Sequence, residues 1–113
     1  MNWTLGARAR LGIRVILSAS GDRFGLEARR RYRRLLTQAI EDVAADPQRV
    51  GVQSAGALGD MRLYHTRHAR LRAGGRPINR PRHVIAFRIV SDQIVILRVL
   101  HDAMDLPEHL KDL

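Results

Sequence analysis

The nine residues RLYHTRHAR at positions 62–70 contain three arginines, two histidines and one tyrosine. These side chains serve in metal sites, in acid–base catalysis and in the binding of anions. His65 and His68 are three residues apart, so they do not share one face of a strand, and no third ligand follows at a fixed spacing. We therefore predict no metal site in this stretch.

If this stretch begins as a strand, its side chains alternate between the two faces of a sheet. One face carries Leu63 and His65, and the other carries Arg62, Tyr64 and Thr66. The strand would lie in the middle or at the edge of the sheet and continue into a basic loop. We interpret it as a strip that binds a partner, and catalysis is the alternative.

A second set of candidate residues lies on two β-rich runs, 84–90 and 94–100, which the short polar turn 91–93 separates. This pattern predicts an antiparallel hairpin, because β-branched and aromatic residues favour strands and a short polar loop joins them. With a three-residue loop, the side chains paired across the hairpin form one wholly apolar core face. The expected pairs are Ile85 with Val99, Phe87 with Leu97, and Ile89 with Val95.

The opposite face of this hairpin carries Arg88 and Arg98. Its other side chains are apolar enough that a partner or another element should cover part of the face. Arg98 is the strongest candidate for contact with a partner, and an ion pair with Asp102 or Asp105 that fastens the tail is the alternative. The apolar residues expected on this face are Val84, Ala86, Val90, Ile94, Ile96 and Leu100.

The predicted register also brings His83 close to His101 at the open end of the hairpin. Histidine is the side chain whose charge changes near neutral pH, so such a pair is a candidate for proton transfer. We predict two hydrogen-bonded histidines at the end of the sheet, with an acid–base pair as the alternative.

A long amphipathic helix is predicted from about residue 24 to residue 45, where apolar residues recur at spacings of three and four. Asp22 is available as its N-cap, and an Asp-Pro pair ends it. Five arginines decorate the helix, and Arg30 and Arg34 set like charges one turn apart at a cost of roughly a few tenths of a kcal/mol. We interpret this run as a solvated face, with contact to an acidic partner as the alternative.

The segment at residues 7–20 is ambiguous. Its β-branched run is typical of a strand, yet its apolar residues also fall on one helical face. Leu63 and Tyr64 indicate a third strand at about 60–66, followed by an exposed loop, rich in Arg, Gly and Pro, at 67–80. The order of elements predicts an α+β sandwich of two layers.

The composition is strongly basic, since 20 Lys and Arg residues against 11 Asp and Glu give a formal net charge of +9. Arginine pairs bidentately with carboxylate or phosphate, so an acidic partner is expected, and an ordinary solvated surface is the alternative. At 113 residues the chain predicts a single domain, 1–113. Because cysteine, a signal-peptide pattern and a long apolar run are all missing, we expect a soluble, cytoplasmic protein.

Three segments together resemble the ParE branch of the RelE/ParE toxins of type II toxin-antitoxin modules. They are FGLEARRRYRRLLTQAIEDVAADPQRVG, then RLYHTRHAR, then PRHVIAFRIVSDQIVILRVLHDAMDLPEHL. The likeness spans nearly the whole chain, since WTL at 3–5 is similar to the first strand of the family and residues 7–20 to its first helix. On this resemblance, and not on propensity, we expect the ambiguous segment to be a helix.

The resemblance implies a RelE/ParE-like α+β fold of two layers. A short N-terminal strand would precede an antiparallel helical hairpin packed on a mainly antiparallel sheet of three to four strands. Toxins of the ParE type bind DNA gyrase and block it or trap it while DNA is cut, whereas toxins of the RelE type cut mRNA on the ribosome. A cognate antitoxin neutralises either kind by wrapping an acidic segment, disordered until bound, over the toxin.

The two branches differ in the chemistry that they need. A ribonuclease must activate a 2′-hydroxyl and stabilise a pentavalent phosphate, which takes a base or acid near several cations. RelE-like enzymes resemble one another in often carrying a tyrosine or a histidine close to the C-terminus. This chain ends LPEHLKDL, without a tyrosine, and its tail is acidic. We expect Tyr32 on the apolar helix face and Tyr64 as the exposed tyrosine. The candidate residues, if the chain is a ribonuclease, are His83, His101, Arg88 and Arg98.

The preferred hypothesis is therefore a gyrase inhibitor without enzymatic activity, cofactor or metal, held by a ParD-like antitoxin. We expect antitoxin and gyrase as partners, with no membrane and no specific nucleic acid bound directly. A basic nucleic-acid-binding module is a third hypothesis, but Trp3, Phe24 and Phe87 do not interleave with the basic strip as a stacking platform would. The residues predicted to contact a protein partner are Arg30, Arg34, Arg62, Tyr64, Arg67, Arg88 and Arg98.

Overall fold

Helices and one sheet make up the two layers of the fold within residues 1–56 and 59–111, the part of the chain that this computed structural model describes. No helix in this part has the length and apolar character needed to cross a membrane. A short 3-10 helix, Thr66–Ala69, follows the third strand. The other elements are, in chain order, β1 (Asn2–Leu5), α1 (Ala7–Phe24), α2 (Leu26–Ala45), β2 (Val52–Ser54), β3 (Arg62–His65), β4 (His83–Val90), β5 (Gln93–His101) and α3 (Leu106–Leu110).

The strands form one sheet in the order β1-β5-β4-β3-β2. β1 runs parallel to β5, and every other neighbouring pair is antiparallel. This confirms the predicted α+β fold with a mainly antiparallel sheet. The described residues contribute five strands rather than three to four, because β2, a three-residue strand that the sequence pattern does not indicate, pairs with β3.

The ambiguous segment is a helix, as the resemblance implied, and α1 continues past residue 20 to Phe24. Ala9 and Leu17 are buried on its inner side. Gly12 lets the helix lie close to the edge of β5, where an added Cβ would be 3.4 Å from the carbonyl oxygen of Val99. Packing against the sheet therefore outweighs the strand preference of the β-branched residues in this helix.

α2 starts at Leu26, two residues after the predicted start, and ends at Ala45 as predicted. Its N-cap is Gly25, whose φ of 91° lies in the region that favours glycine. The prediction that Asp22 caps this helix is wrong, because α1 runs through Asp22 and the chain breaks only at the glycine. The buried residues of α2 are Leu35, Leu36, Ala39, Ile40, Asp42, Val43 and Ala44.

The hairpin of β4 and β5 turns over two residues, Ser91 and Asp92, and not over the three predicted. Both have positive φ, of 50° and 61°, as the tight turn that suits a twisted hairpin requires. A register shift between Ala86 and Phe87 accompanies the shorter turn and changes the pairs next to it. The observed pairs are Phe87 with Ile96 and Ile89 with Ile94, in place of Phe87 with Leu97 and Ile89 with Val95.

This change of register moves two isoleucines into the core. Ile94 and Ile96 are fully buried with the core residues under the helices, so their predicted place on the face of Arg88 and Arg98 is wrong. Beyond the shift the prediction is confirmed, because Ile85 faces Val99 and His83 faces His101.

The buried apolar side chains of the described residues form two separate clusters. The larger one joins residues of α1 and α2 to residues of the sheet. In the smaller one, Leu110 of α3 packs with Met61, Ala86 and Leu100. Another element was expected to cover part of the hairpin face that carries Ala86 and Leu100, and the C-terminal helix does so.

β3 is a middle strand, with β2 on one side and β4 on the other. Its alternation is as predicted, since Tyr64 belongs to the larger cluster and Leu63 packs against the smaller one. The loop at 67–80 is more tightly held than predicted. Ala69 is buried, and Nε of Arg70 donates to the carbonyl oxygen of Ile78 over 2.8 Å.

Candidate functional site

The open end of the β4–β5 hairpin gathers the histidines that the sequence singled out. His83 and His101 face each other across the two strands, with ring centroids 5.5 Å apart. The hydroxyl of Tyr32, on α2, hydrogen-bonds Nδ1 of His83. Nδ1 of His101 accepts the backbone N–H of Ala103 over 3.1 Å, so the prediction of two hydrogen-bonded histidines at the end of the sheet is confirmed. We call the following residues the histidine cluster: Tyr32, His65, His83, His101 and Asp102.

Asp102 joins β3 to the end of the hairpin. Its carboxylate accepts hydrogen bonds from Nε2 of His65 over 2.8 Å and from Nε of Arg82 over 2.9 Å. Nδ1 of His65 accepts the backbone N–H of Arg67 over 3.0 Å, which leaves the ring proton on Nε2 for the carboxylate. The bonds from His65 and Arg82 hold the pKa of Asp102 below its usual value, so Asp102 is an anion at neutral pH.

The inner pair of the cluster is uncharged at neutral pH. Burial, helped by the neighbouring His101, lowers the pKa of His83 to about 4. Burial raises the pKa of Tyr32 to about 12. The tyrosine therefore keeps its proton and donates it in the hydrogen bond to His83, whose Nδ1 is occupied. A histidine with so low a pKa is a weak base, so His83 is poorly suited to remove a proton from a hydroxyl.

The four residues named for a ribonuclease do not come together as one centre. Arg88 lies toward the turn of the hairpin, where its Nε donates to Oδ1 of Asp60 over 2.9 Å. Arg98 does share a shallow groove with His83 and His101, between α1 and the second half of β5, with a volume of about 440 Å³. The groove thus offers two histidines and two arginines, Arg8 and Arg98, without Arg88.

The alternative prediction for Arg98 is an ion pair that fastens the tail. Within residues 1–56 and 59–111, the structure shows no ion pair of Arg98. Asp102 instead pairs with His65 and Arg82. The tail is held by the apolar packing of α3, which leaves the guanidinium of Arg98 available to the groove.

Tyr64 lies in a buried polar cluster that the sequence analysis missed. Its hydroxyl donates to Oδ2 of Asp42 over 2.8 Å, and Arg72 grips the same carboxylate with two bonds of 2.5 and 2.7 Å. Gln38 donates to Asp42 over 2.8 Å, and Arg49 lies 3.4 Å away. The prediction that Tyr64 is exposed and contacts a partner is wrong, because its side chain is fully buried.

The ionisation of this buried cluster follows from its contacts. Burial by itself would raise the pKa of Asp42, but hydrogen bonds from Arg72, Gln38 and Tyr64 outweigh it and lower that pKa. Burial and the bond to Asp42 raise the pKa of Tyr64 to about 12. The sequence contained one indication of this site, since Asp42 stands seven residues after the buried Leu35 and so on the apolar face of α2.

Residues 8–106 match the model of the family described as ParE toxin of type II toxin-antitoxin system, parDE. The chain belongs to this family. The family membership confirms the resemblance seen in the sequence and makes the chain the toxin component of a type II toxin-antitoxin system, with an antitoxin as its partner. A comparison with curated proteins gives no significant match.

The residues predicted to contact a partner do not form one strip on this ParE-family toxin. Arg62 is half-buried, and its Nη1 donates to the carbonyl oxygen of Pro47 over 3.0 Å. Arg30 and Arg34 are exposed on α2, and Arg67 is exposed after β3. They therefore lie on separate elements, and their role in binding stays a prediction.

Sequence patterns also missed an apolar surface on the helical hairpin of the toxin. Leu11 and Val15, one turn apart on α1, are 60% and 59% exposed, and they line the groove that Arg98 enters. Phe24 and Leu26, where the two helices meet, are 71% and 59% exposed. Exposed large apolar side chains next to arginines suit a partner that is both apolar and acidic.

Proposed function

We propose that this toxin inhibits DNA gyrase, without enzymatic activity of its own, and that a ParD-like antitoxin neutralises it in the cytoplasm. The observation that carries the proposal is the match to ParE toxins over residues 8–106. The state of the histidine cluster supports it, because His83 is neutral and already bonded while Arg88 lies elsewhere. An inhibitor needs a surface that binds, whereas a nuclease needs a base assembled with several cations.

The surface of α1 supports the second half of the proposal. Leu11 and Val15 are exposed, and Arg8 and Arg98 line the same groove. Burying apolar surface would contribute about 25 cal/mol per Å², and carboxylates of the antitoxin would pair with the two guanidinium groups. An acidic amphipathic segment that is disordered when free can order on such a surface.

The gyrase proposal is tested by plasmid supercoiling with purified gyrase and ATP, titrated with the full chain made by cell-free synthesis. We expect the supercoiled product to decrease or cleaved linear DNA to accumulate, and added antitoxin to reverse either effect. Relaxation of the same plasmid by a type I topoisomerase is the matched control and should not change. Undiminished supercoiling, by protein that still stops the growth of cells, would reject gyrase as the target.

A ribosome-dependent mRNA endonuclease is the second candidate function, because Arg98 shares a groove with His83 and His101. This function requires cut transcripts in a translation reaction that contains the toxin. His101→Ala and Arg98→Ala should each abolish the cuts, whereas His109→Ala, on the exposed side of α3, should not. If transcripts stay intact in a translation reaction that contains the wild-type toxin, the endonuclease function is excluded.

A further inference from the structure

A cavity of about 890 Å³ lies between α1, α2 and the segment at residues 76–83. Its volume is within the range of about 300–1,000 Å³ that small-molecule sites occupy. The gyrase proposal does not use this cavity. It borders the histidine cluster at Tyr32, His83 and His101, and the proposed antitoxin surface at Val15.

The lining of this cavity is basic and contains no acidic residue from the described part of the chain. Asp102 neutralises one of the lining arginines, Arg82, over 2.9 Å. The other four form no ion pair within residues 1–56 and 59–111. Several uncompensated positive charges in one concave site attract a ligand that carries several negative charges. The arginines that line the cavity are Arg23, Arg31, Arg76, Arg80 and Arg82.

Among the lining arginines, Arg31 indicates which kind of anion would fit. Its Nε is buried and has no hydrogen-bond partner among the described residues. Since no protein acceptor holds this guanidinium at Nε and no ion pair of Arg31 is found among the described residues, its outer N–H groups can pair with an anion in the cavity that it lines. A guanidinium presents its N–H groups as a planar fork that matches the oxygens of phosphate, which makes phosphate the fitting acceptor.

Most of the remaining lining is apolar, and one part of it is the flat ring of Phe24. Phe24 lines the cavity with a ring that is 71% exposed, and the guanidinium of Arg23 lies 5.5 Å from the ring centroid. Pro77, Ile78 and Pro81 line the same space. An aromatic ring of a ligand would stack on Phe24 without the need for hydrogen-bond readout.

We propose that this cavity binds a nucleoside polyphosphate, with its phosphates on the arginines and its base against Phe24 and the neighbouring prolines. The arginines that are unpaired within the described residues fit the several phosphates of such a ligand, and the ring of Phe24 fits its flat base. The inference is independent of the gyrase proposal, because it rests on the cavity alone.

Calorimetric titration of the full chain at physiological salt tests the site with ATP, tripolyphosphate and adenosine as separate ligands. We expect ATP to bind one to one and both fragments to bind at least about tenfold more weakly. Equal affinity for tripolyphosphate would show a general polyanion surface and overturn the proposal. No binding of ATP at millimolar concentration would overturn it as well.

Matched variants separate the cavity from the general positive charge of the protein. Arg31→Ala should weaken ATP binding about tenfold, whereas Arg33→Ala, the same change in charge at an exposed position of α2 outside the cavity, should leave it within about twofold. Phe24→Ala removes an exposed ring, so it should weaken ATP and leave tripolyphosphate unchanged. Equal losses in Arg31→Ala and Arg33→Ala would reject a site in this cavity, and Arg76→Ala repeats the test at an exposed position if Arg31→Ala does not fold.

Discussion

At the scale of single residues, Asp42 stabilises the fold through its bonds to Tyr64, Arg72 and Gln38. Asp42→Asn keeps the shape of the side chain but leaves the cationic partners without their anion. We expect the free energy of unfolding to fall by about 2–4 kcal/mol, since removing one partner of a buried, hydrogen-bonded pair is costly. Urea unfolding measures it, with the exposed Glu41→Gln as the control. Equal stability of the two variants would contradict the assigned role of the cluster.

His83 should make stability depend on pH. Its pKa is about 4 in the folded chain, against 6.5 for an unperturbed histidine, so between these values the unfolded chain binds a proton that the folded chain does not. Stability from this residue is therefore fully present above about pH 6.5 and lost as the pH falls toward 4. Because the side chain is partly exposed, we expect a loss on the order of 1–2 kcal/mol.

The variant His83→Asn isolates this contribution from other groups. His68, whose pKa burial also lowers, acts in the same direction, so only the difference between wild type and variant is informative. Asp42 and Asp102 have lowered pKa values and lose their contribution in a more acidic range, below about pH 4. Urea unfolding at pH 7 and pH 4.5 should show a smaller loss in His83→Asn than in wild type. An equal loss in both would mean that His83 does not lose its proton on folding in this pH range. As the control, His109→Asn at an exposed position should lose as much stability as wild type.

At the scale of elements, the sequence predicted the helices and strands whose own residues show a clear apolar period. The apolar period of α2 and the β-rich runs of β4 and β5 were sufficient, because each element buries a face set by its own periodicity. The sequence did not predict the register near the turn. The turn is one residue shorter than predicted, and the shift between Ala86 and Phe87 restores the predicted register in the half of the hairpin away from the turn. Such compensation leaves the pair of Ile85 and Val99 unchanged and is invisible in the pattern.

The turn itself gives a prediction at this scale. Ser91 and Asp92 both adopt positive φ, which non-glycine residues occupy with strain. Replacing them by Asn and Gly, the favoured pair for this turn, should raise the free energy of unfolding by about 0.5–1 kcal/mol. Urea unfolding of the double variant Ser91→Asn, Asp92→Gly measures the gain. Asp92→Val, which opposes the left-handed conformation, should destabilise the hairpin, and the same stability in both variants would show that the turn is not strained.

At the scale of the whole molecule, folding pairs some arginines with buried or half-buried aspartates and gathers others, unpaired within the described residues, around the cavity, which the sequence does not show. Asp42 forms ion pairs with Arg49 and Arg72, and Asp102 forms one with Arg82. The arginines around the cavity come from α1, α2 and the segment at 76–83, which approach one another only in the folded chain. Local patterns predict which elements form, but a site assembled from three of them depends on packing that no single window contains.

The positive charge of the toxin predicts how it would associate with the acidic antitoxin that we propose. With a formal net charge of +9, the toxin should steer an acidic segment into place, so the association rate constant should fall roughly tenfold as salt rises from about 0.05 M to about 0.5 M. The dissociation rate constant should change much less, because it depends on the apolar contacts that we propose at the exposed Leu11 and Val15. Leu11→Ser should therefore speed dissociation and leave the salt dependence of association intact. Stopped-flow mixing resolves both rate constants, and an association rate independent of salt would mean that the positive charge of the toxin does not guide its antitoxin.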